Sequence, residues 1–149
     1  MSIDYQDTIK SIMVKVTTVS QDAKLTDALK IMVKKDIGSL VVAEKKKGIG
    51  IITERDVMKI AASNPDMLQN KVKEIMSTPL ITITEDTPAW NAFRIMIKSK
   101  IRRLPIEKKG KLIGIVSTRD LFRWVMIVVY GESLPEDIKS VVLEGYPIS

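Results

Sequence analysis

Gly114-Ile115-Val116-Ser117-Thr118-Arg119-Asp120 has a counterpart 64 residues upstream, Gly50-Ile51-Ile52-Thr53-Glu54-Arg55-Asp56. In both, a glycine opens a short apolar run, a hydroxyl residue closes it, and an acid follows three positions later. The run reads as a buried strand and the hydroxyl as the N-cap of a helix that continues through Val57-Met58 or Leu121-Phe122. A strand that turns straight into a helix presents backbone N–H groups and a partial positive charge, which suits an anion. The same residues also form a capping box, worth about 1 kcal/mol per cap.

Working outward, the duplication extends without a gap from Val19 and Ile83 to Asp56 and Asp120. Ala28-Leu29-Lys30-Ile31-Met32 faces Ala92-Phe93-Arg94-Ile95-Met96, and Leu40-Val41-Val42 faces Leu104-Pro105-Ile106. Upstream the offset falls to 63, with Ile12-Met13 facing Ile75-Met76. Each copy reads as a short helical lead-in (Thr8 to Met13, Lys71 to Met76) and a β-branched strand (Val16 to Val19, Leu80 to Ile83). A helix follows. Its apolar positions, Leu25, Ala28, Leu29, Met32 and Val33 or Ala89, Ala92, Phe93, Met96 and Ile97, keep the spacing of one buried face. Thr87 before Pro88 predicts a cap and a first-turn proline. Two strands then pair across polar turns, Ser39 to Ala43 with Gly48 to Ile52 and Leu104 to Ile106 with Leu112 to Val116. The last helices run from Glu54 to about Ala62 and from Thr118 to about Tyr130. The expectation is an α+β fold of two β-α-β-β-α repeats, residues 8–66 and 71–130, packed sheet to sheet about a pseudo-twofold axis with a cleft between them. Residues 131–149 form a tail with a helix start at Leu134-Pro135-Glu136.

This order of elements, the paired G-h-h-[ST]-x-x-D segments and the run Ile101-Arg102-Arg103-Leu104-Pro105-Ile106 resemble the CBS domain, two of which form a Bateman module. The resemblance implies regulatory binding of AMP, ADP or ATP, or of S-adenosylmethionine or NAD, in the cleft. It assigns ribose contacts to Asp56 and Asp120, and phosphate contacts to Thr53 and Ser117. Beside Ser117, Arg119 is a further candidate for the phosphates and Thr118 a further candidate ligand contact. Ile37, Gly38 and Ser39, with Ile101, Arg102 and Arg103, would line the adenine and phosphate region, and Thr87 would reach the ligand from its helix start. Ala23 stands where Thr87 has its match, and Gly38-Ser39 replaces the arginine pair, so the two sites are unequal. The site fed by Arg102 and Arg103 is the better phosphate binder.

Composition narrows the chemistry. The 149 residues contain no cysteine and no histidine, which removes thiolate chemistry, the usual general base and His or Cys metal sites. An enzyme is not expected. The net charge is +6, and Arg94 to Arg123 holds ten basic residues against two acidic ones, so an anionic partner fits. Nucleic acid is the rival anion, though only 5% of residues are aromatic. A structural dimerisation module with vestigial sites is the other rival. The Lys45-Lys46-Lys47 and Lys108-Lys109 runs read as solvated turns. The helix Leu121 to Tyr130 is apolar around most of its circumference, which reads as core plus tail packing or as a homodimer interface. The longest apolar stretch, Val125 to Tyr130, is too short for a bilayer. The N-terminus shows no export pattern, so a cytoplasmic protein acting on a separate partner is the expectation.

Overall fold

The structure, a computed structural model, describes residues 7–144. It holds two three-stranded sheets. The first comprises β1 (Thr18–Val19), β2 (Ser39–Glu44) and β3 (Lys47–Thr53), with α1 (Leu25–Lys35) crossing between β1 and β2 and α2 (Glu54–Ser63) leaving β3. The second repeats it with β4 (Ile83–Thr84), α3 (Ala89–Ser99), β5 (Arg103–Lys108), β6 (Lys111–Ser117) and α4 (Thr118–Tyr130). In each, the first strand is parallel to the second and the second antiparallel to the third. A tail helix, α5 (Glu136–Glu144), packs on α4. The expected α+β repeat architecture is what forms. The N-terminal stretch before residue 7 lies outside the described residues, as does the chain after Glu144.

Successive residues of a strand point to opposite faces of the sheet, and here one face packs on the repeat's own helices and the second on the other repeat. Leu40, Val42 and Ile52 meet Leu25, Ala28 and Met32 in one core; Leu104, Ile106 and Val116 meet Ala89, Ala92 and Met96 in the other. Val41 and Pro105 are buried on the opposite face, where the repeats meet. There a Cβ on Gly48 would strike the Leu80 and Leu112 side chains of the second repeat, and the Leu112 N–H donates to the Lys46 carbonyl at 2.8 Å.

The lead-in segments are exchanged. Ile9, in a 3₁₀ turn of Ile9–Ser11, is fully buried in the second repeat's core, and Val72, in the turn Val72–Glu74, is fully buried in the first repeat's. Backbone bridges between the repeats come in symmetric pairs: Thr8 to Pro88 with Lys24 to Lys71, and Val14 to Ile115 with Ile51 to Ser77. This pairing is the pseudo-twofold axis expressed in hydrogen bonds.

Several local expectations change. The hairpin turns are two residues, not four or five, because Lys45-Lys46 and Lys109-Gly110 adopt the positive φ of a mirror-image turn. β1 and β4 are only two residues long, since parallel pairing reaches no further. Thr87 is not the cap of α3: Pro88 holds that position, and the Ala89 N–H finds the Asp7 carbonyl of the exchanged lead-in at 2.9 Å. Val33 and Ile97, expected on the buried faces of α1 and α3, are 82% and 71% exposed. On α4, Leu121 and Trp124 are buried while Phe122, Ile127 and Tyr130 are exposed.

Candidate functional site

Both strand-to-helix corners form as capping boxes. Asp56 Oδ2 accepts from the Thr53 N–H and hydroxyl, each at 2.9 Å, and the Asp56 N–H donates to Thr53 Oγ1 at 3.3 Å. Asp120 does the same with Ser117, at 2.8, 2.7 and 3.2 Å. The first amide of each helix is also taken, Glu54 N–H by the Gly38 carbonyl at 3.0 Å and Thr118 N–H by the Arg102 carbonyl at 2.9 Å. This corrects the picture of an open helix terminus. Two of the first three amides are satisfied internally, so an anion here must be held largely by side chains. In both acids the other oxygen, Oδ1, accepts no hydrogen bond from the described residues.

A cleft of about 690 Å³ opens between the repeats. One wall is the first repeat's corner, with Thr53, Glu54, Arg55 and Asp56, and Gly38 and Met58 beside it. The other is the second repeat's Lys100-Ile101-Arg102-Arg103, the link out of α3 and the first residue of β5. Ile51, Pro79, Leu80, Ile81 and Pro105 give an apolar surface. Leu80 and Ile81 are free to do so because β4 begins only at Ile83. Four cationic side chains (Arg55, Lys100, Arg102, Arg103) face two carboxylates (Glu54, Asp56), so the cleft carries net positive charge.

Arg103 is the least solvated of these cations. It is half-buried where Arg102 and Lys100 are exposed. Desolvation pushes its guanidinium below the ordinary value, opposed by the carboxylates of Glu54 and Asp120 and reinforced by Arg102. It stays charged, since an arginine does not lose its proton in a protein.

Of the residues singled out from sequence, Thr53, Asp56, Gly38, Ile101, Arg102 and Arg103 converge on this cleft. Ile37, Ser39, Thr87, Ser117, Thr118, Arg119 and Asp120 do not line it. Ile37 packs on the first core, Ser39 is buried opposite Thr53 in the sheet, and Thr87 Oγ1 lies 3.4 Å from Thr84 Oγ1. Sequence reasoning missed Lys100, Glu54 and the Ser77 to Ile81 wall. Among the described residues no cluster of acids could hold a metal ion, and no helix is long and apolar enough to cross a membrane.

The CBS-domain profile matches residues 9–63 and 72–127. The chain belongs to the CBS-domain family. As a tandem CBS chain it is 43% identical over 116 residues to an uncharacterized 17.7 kDa protein of Acidianus ambivalens, covering 76% of this chain and 70% of that one. It is 37% identical over 111 residues to the mitochondrial CBS domain-containing protein CBSX3 of Arabidopsis thaliana, covering 70% of this chain and about half, 54%, of the relative. Among solved structures, the CBS domain pair of protein MJ0100, in complex with 5′-methylthioadenosine and S-adenosyl-L-methionine, superposes with a TM-score of 0.72 at 27% identity, covering 86% of this chain and 98% of that one.

Proposed function

We propose that this CBS pair is a regulatory module that binds an adenine nucleotide in the cleft between its repeats and acts on a separate protein, with no catalysis of its own. The observation that carries the reading is the opposition of Asp56 to Lys100-Ile101-Arg102-Arg103 across one 690 Å³ cleft. Its size is that of a small-molecule site. The apolar wall of Ile101, Pro79, Leu80 and Ile81 suits a purine. The open Oδ1 of Asp56 suits ribose hydroxyls, and Arg102 and Arg103 suit a phosphate, where planar guanidinium donors make paired bonds. The adenosyl ligands of the MJ0100 pair support the base and sugar part of this assignment. Binding to both walls at once would bias the relative pose of the repeats, and so the surface offered to a partner. S-adenosylmethionine and NAD share the adenosyl moiety and are the alternative ligands.

We also read the module as a homodimer in the cytoplasm. Supporting the dimer, the exposed apolar side chains recur at matched positions, Val33 with Ile97 and Met58 with Phe122. Two copies could bury them together.

A thermal-shift and calorimetric screen with adenosine, AMP, ADP, ATP, S-adenosylmethionine and NAD tests the reading. A ligand at 100 times its Kd adds about 2.7 kcal/mol of stability and raises Tm by several degrees. Asp56→Asn keeps an acceptor for the cap but weakens the charge-assisted bonds to ribose, so affinity should fall about tenfold. No adenosyl ligand raising Tm, or unchanged affinity in Asp56→Asn, would remove the ligand from this cleft.

A further inference from the structure

We infer that Glu54 sets how many phosphates the cleft accepts, holding it to ligands with short anionic tails; this rests on the nucleotide reading above. The observation begins at Gly38. A Cβ built there would lie 2.6 Å from Arg103 Nη2 and 3.1 Å from Glu54 Oε2. The bare glycine thus makes room for two opposite charges, one from each repeat, where a side chain would stand. Arg103 and Glu54 nevertheless form no ion pair within 4.0 Å among the described residues. The guanidinium therefore keeps donors for a ligand, while the carboxylate stands beside whatever takes them.

The second corner lacks this feature, because Thr118 occupies the position of Glu54. A glutamate at the first position of a helix has a plain structural role, favourable with the helix dipole. That role needs no neighbour on the opposite wall. Glu54 is exposed and lines the cleft, and its negative charge offsets part of the desolvation of the Arg103 guanidinium. Any anionic group that reaches Arg103 must come close to it. Repulsion of this kind grows with the charge of the ligand's tail and leaves the nucleoside end untouched. Adenosine should be indifferent to Glu54, AMP slightly sensitive, and ATP strongly so.

The test compares the 149-residue chain with its Glu54→Gln variant by calorimetry against adenosine, AMP, ADP and ATP at low salt. Affinity for ATP should rise about tenfold or more, for AMP less than about threefold, and for adenosine not at all, with ADP between. The gain should shrink as salt is added. A Gly38→Ala methyl would displace the guanidinium, so Glu54→Gln in that background should no longer change the ATP-to-AMP ratio. If the wild type binds nucleotides and Glu54→Gln shifts all four ligands equally or none, the inference is overturned and the nucleotide site stands. If the wild type binds none of the four, the site and the inference fall together.

Discussion

The left-handed residue that ends α1 is Asp36, and the matching one that ends α3 is Lys100. The segments that follow diverge in the same sense, Ile37-Gly38-Ser39 in the first repeat and Ile101-Arg102-Arg103 in the second. The backbones agree closely here: Ile37 N–H donates to the Met32 carbonyl and Ile101 N–H to that of Met96, both at 3.0 Å. Duplication has kept the hydrogen bonds and changed the charges. The repeats therefore supply different halves of one cleft, an acidic capped corner from the first and a basic pre-strand segment from the second. Burial follows the same division. Glu54 and Arg55 are exposed at the first corner, whereas Thr118 and Arg119 are half-buried at the second. A symmetric backbone with asymmetric side chains can make one good site without making two.

The largest effect probes what the repeats share. Leu40 and Leu104 are fully buried at matched positions, one in each core. Replacing either by alanine should cost about 2–5 kcal/mol. Because Ile9 and Val72 anchor each lead-in in the other core, both variants should unfold in a single denaturant transition with similar losses. Two transitions in Leu40→Ala, with the second repeat surviving, would show that the exchange does not bind the repeats into one cooperative unit.

The next effect probes what they do not share. Arg103→Gln removes the half-buried cation, and Ser39, its counterpart, cannot replace it. Loss of charge-assisted bonds worth about 1.5–3 kcal/mol should weaken AMP binding roughly tenfold to a hundredfold. Adenosine, with no phosphate, should bind as before. Equal losses for both ligands in calorimetry would mean that Arg103 shapes the cleft and does not contact the phosphate.

The repeats themselves were legible because a 64-residue offset preserves apolar spacing and turn chemistry together. The capping boxes at Thr53 and Ser117 were legible for the same reason: the pattern is local, closing over three residues. The site was legible only in its parts. Nothing in the sequence says that Asp56 and not Asp120 shares a cleft with Arg103, since that juxtaposition is made by the axis between the repeats, and the sequence left both acids open as ribose contacts. The exchange of Ile9 and Val72 was hidden because a 3₁₀ turn of three residues looks the same whichever core receives it. The two-residue turn at Lys45-Lys46 carries no glycine or asparagine to announce its positive φ.

The smallest effect concerns a contact that the repeats build from different chemistry. In the second repeat Lys108 Nζ bonds Glu85 Oε1 at 2.6 Å, tying the β5 end to the turn after β4. At the matching place in the first, Glu44 accepts from the Ser20 hydroxyl and the Gln21 N–H, at 2.9 and 3.0 Å. The hydrogen bond and charge of Lys108 hold the Glu85 carboxyl below its ordinary value. A carboxyl lowered on folding adds stability above its unfolded value and loses it as pH falls through the folded one. The same pair holds the Lys108 ammonium above its ordinary value, so that contribution is complete below the ordinary lysine value and fades as pH rises through the folded one. Lys108→Met should therefore lower Tm by roughly 1–3 °C at neutral pH, a modest effect for a solvent-screened pair. The gap between variant and wild type should close in acid, from the ordinary glutamate range downward. A gap that stays constant to low pH would assign the loss to packing of the lysine stem against the sheet edge.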